Sequence, residues 1–150
     1  MGDNAPEGIG SKFMTRFAAA AALVSLIGLA DAGYLTATHF SGKEVPCSII
    51  SGCEKVLTSQ YAEVGGIPTA LFGAAAYFAA FSLTLFAYYG YTRLWGLFGA
   101  LTVLMAVFTA WLIYLQAFVI GAFCQFCLIS AATTSTLLLI FLLSTFFRKK

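Results

Sequence analysis

Residues 94–147 read LWGLFGALTVLMAVFTAWLIYLQAFVIGAFCQFCLISAATTSTLLLIFLLSTFF, a run without one charged side chain. As a single helix it would extend roughly 80 Å at 1.5 Å per residue, against a hydrocarbon layer about 30 Å thick. Two crossings of about 20 residues each fit instead, with a short turn near Ile120, Gly121 and Ala122. A membrane hairpin is therefore expected, its spans at about 94–119 and 123–147.

The rest of the chain follows the same rule. Of 150 residues, 61% are hydrophobic and 9% charged, where a soluble domain carries roughly a quarter charged. Further apolar stretches at about 17–38 and 68–89 bring the spans to four. Lys12 and Arg16, the run FAAAAALVSLIGL and then ADA at Ala30–Ala32 also have the form of a cleavable signal peptide. Apolar character resumes at Gly33 and continues to Phe40, so a retained first span is expected. Residues 1–12, polar and glycine-rich, read as a flexible tail. That leaves 13–150 as one domain, with no internal repeat. The expected fold is an all-α membrane protein: a four-transmembrane-helix bundle with one substantial outer loop, about 39–67, that carries a short half-helix. A scattered net charge of +2 gives no surface for nucleic acid.

Loop charges set the expected orientation. If the spans alternate, Lys12, Arg16, Arg93, Arg148, Lys149 and Lys150 fall on one side. The other side has Lys43 and Lys55 beside Glu44, Glu54 and Glu63. The excess of Lys and Arg places both termini in the cytoplasm. All four cysteines then lie at the outer, periplasmic or extracellular face, which is disulfide-permissive.

Those cysteines come as two pairs. In the loop stretch CSIISGCEKVLTSQYA, Cys47 and Cys53 are six residues apart, a loop that closes at little entropic cost. Ser51 and Glu54 fit a capping box, opening a half-helix from Gly52 to about Tyr61. Cys53 then sits in its first turn, where free N–H groups and the dipole favour thiolate. Gly65 and Gly66 suit a tight turn, and Pro68 the first position of the second span. The second pair, Cys124 and Cys127, is spaced i, i+3, which on a helix puts both sulfurs on one face.

Three readings of the four sulfurs stay open: structural staples, a four-thiolate zinc site and an electron relay. A staple between adjacent helical turns constrains almost nothing, because stabilisation grows with loop length. Two buried thiolates in an apolar setting disfavour zinc. The relay is the better account of the second pair. After Cys127 comes a small-residue run, Ser130 to Thr136. It suits close helix packing or a flat slot for a ring-shaped cofactor. Asp31 is the one carboxylate within the first span and so a functional candidate. His39, at the end of that span, reads as an interfacial residue with a lesser claim to proton transfer.

Cys47 and Cys53, Ser59 six positions on, GGIPTALFGAAAY at Gly65–Tyr77 and CQFC opening the last span together resemble the vitamin K epoxide reductase family, in its prokaryotic branch. The resemblance covers nearly the whole chain. It implies a four-helix bundle around a quinone of ubiquinone, menaquinone or vitamin K type, with the loop half-helix capping the pocket. It also implies catalytic roles for Cys47, Cys53, Cys124 and Cys127. Cys47 would exchange with a thioredoxin-like or DsbA-like protein, Cys53 would relay electrons to Cys124, and Cys127 would face the quinone. Ser59 would lie near the relay or the ring. Animal enzymes of the family have a tyrosine where this chain has Ala131, which counts against epoxide reduction. Several bacterial relatives carry a fused thioredoxin-like domain; this sequence stops at Lys150, so a separate partner is expected.

The implied function is a membrane thiol-disulfide oxidoreductase that drains a thioredoxin-like partner into a quinone and supports disulfide bond formation. Vitamin K quinone or epoxide reduction proper is the alternative within the family. A different quinone-linked disulfide oxidase of the bacterial membrane also has four helices and two cysteine pairs, but its CxxC comes first. A non-enzymatic membrane protein with structural disulfides is the remaining alternative.

Overall fold

Unbroken runs of Ala, Leu, Ile and Phe satisfy their own backbone groups as helices, the form a chain without water around it requires. The computed structural model describes residues 9–47, 49, 50 and 52–150. In chain order it has α1 (Ile9–Ser41), α2 (Cys53–Leu57), β1 (Glu63–Val64), β2 (Ile67–Pro68), α3 (Thr69–Tyr88), α4 (Leu94–Tyr114) and α5 (Gln125–Lys149). A π-helical turn, Leu115–Ile120, continues α4 without a break. Among the described residues, four helices are long and apolar enough to cross a membrane. The expected all-α bundle is what the chain forms. α1 begins at Ile9, inside the stretch read as a tail, and residues 1–8 of that tail lie outside the described residues.

The long helices pack as a ring, with α1 and α4 each lying against both α3 and α5. Ala18, Ala21, Ala32, Ala80 and Ala87 are buried between them, and such small side chains let helix backbones approach closely. Tyr77, Trp95, Phe98 and Leu137 fill the remaining core. Gly28 leaves room for the Tyr77 ring, which an added β-carbon would overlap. Large apolar groups such as Leu23 and Val107 face outward, as the lipid side of a membrane bundle should.

The outer loop differs from its expected form in three ways. α2 has five residues and stops at Leu57 rather than near Tyr61. The cause is local competition: Thr58 Oγ1 donates to the Glu54 carbonyl at 2.6 Å and Ser59 Oγ to the Val56 carbonyl at 2.7 Å, drawing the backbone into turns. Gly52 is the N-cap, with no side-chain cap bond; Ser51, the expected cap, lies outside the described residues. After the turns, β1 and β2 pair antiparallel, Val64 opposite Ile67. The link is Gly65–Gly66, both at positive φ (61° and 82°), the backbone a two-residue hairpin turn demands. Pro68, expected as the first helical residue, instead ends β2 and caps α3 in extended conformation.

Candidate functional site at the loop end of the bundle

Cys47 and Cys53 are joined as a disulfide, with α-carbons 6.2 Å apart. Cys53 is the first residue of α2 and is fully buried; Cys47 is half-buried. Two contacts seat this loop on the start of α5. The Ile49 N–H donates to Gln125 Oε1 at 3.0 Å. A β-carbon on Gly52 would stand 2.6 Å from the Phe123 carbonyl and 3.1 Å from the Ala122 side chain, so only glycine allows the approach.

Cys124 and Cys127 are thiols. They do not both ride on the helix, as their spacing suggested. Cys124 is the N-cap of α5, in extended conformation (φ −102°, ψ 124°), and Cys127 lies in the first helical turn. Cys127 still packs against the cluster that holds Cys124. Cys53, Val56 and Cys124 form one buried cluster, against which Cys47, Cys127, Leu57, Ile120 and Phe126 pack. All four cysteines therefore meet at one end of the bundle.

Below that cluster opens a cavity of about 910 Å³. Leu35, Met105, Phe108 and Leu112 give it apolar walls, and Cys127 is the cysteine that lines it. Asp31 and Ser59 line it too, while Ala131, half-buried on α5, does not. Asp31 Oδ2 is buried without a hydrogen-bond partner, alone in this among the described residues. At the mouth, His39 Nε2 meets Glu63 Oε1 at 2.9 Å, tying the hairpin to the end of α1.

Two residues of the site escaped the sequence reading. Tyr77 Oη lies 3.0 Å from Ser130 Oγ, 2.7 Å from Thr133 Oγ1 and 2.8 Å from Thr134 Oγ1, and donates to the Ser130 carbonyl at 2.7 Å. The small-residue run thus forms a hydroxyl-lined socket, with Tyr77, Ser130 and Thr134 on the cavity wall. Gln116, 2% exposed in the π-helical turn, accepts the Cys124 N–H on Oε1 at 3.1 Å. The arrangement can hold a flat, largely apolar ring with polar edges beside one thiol, while a second sulfur couple faces the loop. A family model described as the vitamin K epoxide reductase family matches residues 19–142, a stretch that includes all four cysteines.

Proposed function

The chain belongs to the vitamin K epoxide reductase family, membrane oxidoreductases that use quinones, and on that premise we propose that it passes electrons from a thioredoxin-like partner through its two cysteine pairs to a membrane quinone. The reaction supports disulfide bond formation at the outer face, with both termini cytoplasmic as the Lys and Arg distribution argues. One observation carries the reading: Cys53 and Cys124, one from each pair, are both fully buried in the same cluster.

The cavity suits a quinone. Its walls are mainly apolar, the Ser130 and Thr134 hydroxyls offer partners for ring oxygens, and the unpartnered Asp31 oxygen lies on the same cavity. When bound, a quinone supplies a sink for two electrons and two protons. The protein's part is sulfur exchange. Starting with Cys124 and Cys127 oxidised, the Cys53 thiolate attacks Cys124, forming a Cys53–Cys124 bond and releasing Cys127 as thiolate. Cys47 then attacks Cys53, closing the loop disulfide and releasing Cys124. The loop disulfide takes two electrons from the partner's dithiol, and the Cys124–Cys127 dithiol gives two up on the cavity side, reforming its own disulfide. Asp31, whose Oδ2 has no partner on the same cavity, holds a proton there for delivery as the two electrons leave the Cys124–Cys127 pair.

The test is trapping. Cys47→Ala removes the resolving sulfur, so a Cys53–Cys124 disulfide should accumulate under oxidising conditions and appear in peptide mass spectra. A folded Cys47→Ala protein with no such bond would rule out the relay.

A further inference from the structure

Gln116 is a buried amide in an apolar helix, at the point where that helix departs from α-geometry. A π-helical turn frequently marks a functional position, and here it brings two groups of one residue to bear on the next segment. The Gln116 carbonyl accepts the Ala122 N–H at 3.1 Å, and its side-chain Oε1 accepts the Cys124 N–H at 3.1 Å. Between them, Gly121 turns the chain at φ 69°.

The amide orientation follows from the partner. A backbone N–H can only donate, so the side-chain oxygen faces Cys124 and the NH₂ group is directed away from it. Gln116 and Cys127 line the same cavity, so the NH₂ group, turned away from the Cys124 N–H, is the part available to that sulfur. We propose that Gln116 is the positioning residue of the membrane-edge couple: it pins the Cys124 backbone through Oε1 and offers its NH₂ to the Cys127 sulfur. The Cys127 thiolate released in the exchange accepts that bond better than a disulfide sulfur does, because hydrogen bonds to charged acceptors are the stronger ones. Gln116 therefore stabilises the reduced form and makes the couple a better electron acceptor from Cys53.

This inference rests on the relay reading for the couple's role, yet its test needs neither partner nor quinone. The full chain, purified in detergent, is equilibrated in glutathione buffers of graded potential. Differential alkylation and mass spectrometry then count each thiol. In Gln116→Met and Gln116→Glu, the Cys124–Cys127 equilibrium should shift about tenfold toward disulfide, about 30 mV lower for a two-electron couple. The Cys47–Cys53 couple in the same samples should stay in place. Gln116→Glu keeps an acceptor for the Cys124 N–H and is the variant expected to fold best.

Wild-type protein labelled with ¹⁵N-glutamine gives a measurement free of folding defects: the Gln116 side-chain signals should move when Cys124 and Cys127 are oxidised. An unchanged potential in a folded variant, both couples moving together, or Gln116 signals indifferent to oxidation would each overturn the proposal. Such a failure leaves the Cys53–Cys124 trap untouched, and failure of the trap leaves this result standing.

Discussion

Asp31 and Tyr77 are both polar groups at membrane depth, and only one of them is satisfied. The Tyr77 hydroxyl has its partners on α5, so it reads as a pin between helices, worth about 0.6 kcal/mol per bond on the average for membrane bundles. Nothing in the sequence pairs a tyrosine with serines and threonines more than fifty positions later; the signal was the concentration of hydroxyls at Ser130–Thr136, whose function depends on which helix lies opposite. Asp31 was legible because a lone carboxylate in an apolar span is costly to insert. Its unpartnered Oδ2 gains nothing for the fold, which separates structural from chemical roles. Asp31→Asn keeps the shape and removes the charge, so thermal stability should match or slightly exceed wild type. Quinone reduction by the dithiol should fall by about 100-fold, the low end for losing a positioned proton carrier. Turnover within a few-fold of wild type would remove Asp31 from the chemistry.

At the scale of elements, the proposed relay depends on how closely α2 approaches the turn before α5. The sequence indicates a half-helix and even its first cysteine, but it overstates the length, because the hydroxyls of Thr58 and Ser59 end the helix by bonds no periodicity reveals. The two-residue ladder and the π-helical turn were also hidden: strands of two residues are too short to show an alternating pattern, and a π-turn of six residues leaves the apolar run around it unchanged. Gly52 belongs with these: it looked like loop composition, and its use is the missing β-carbon against Phe123. Gly52→Ala needs no forbidden backbone angle, since φ is −94°; it needs space. The added methyl should push α2 outward while leaving each disulfide able to form. In a Cys47→Ala background, the rate of Cys53–Cys124 bond formation should then drop by about 100-fold, the cost of misplacing reacting groups by roughly 1 Å. An unchanged rate would mean that the approach of α2 is not what sets the exchange.

For the whole molecule, hydropathy made the four-helix bundle readable at once, because lipid leaves a chain few alternatives. What it left open was how the cysteine pairs lie relative to one another, since loop placement is a tertiary matter. The observed cluster makes each sulfur differ in access: Cys47 is half-buried in the loop, Cys127 lines the cavity, and Cys53 and Cys124 are both 0% exposed. A relay needs that gradation, because interior sulfurs open to solvent would be captured by stray thiols before exchanging with each other. The order of alkylation should therefore follow position. In fully reduced protein embedded in sealed vesicles of known orientation, a membrane-impermeant maleimide applied to the outer face should modify Cys47 first. A small permeant reagent should add Cys127 next, with Cys53 and Cys124 at least about tenfold slower than Cys47, the factor corresponding to an opening cost of 1.4 kcal/mol or more. Peptide mass spectrometry reads all four rates in one sample. Rapid modification of Cys124 by the impermeant reagent, or labelling of Cys47 from the face that bears the termini, would show that the couples are not divided between water and lipid as the relay requires.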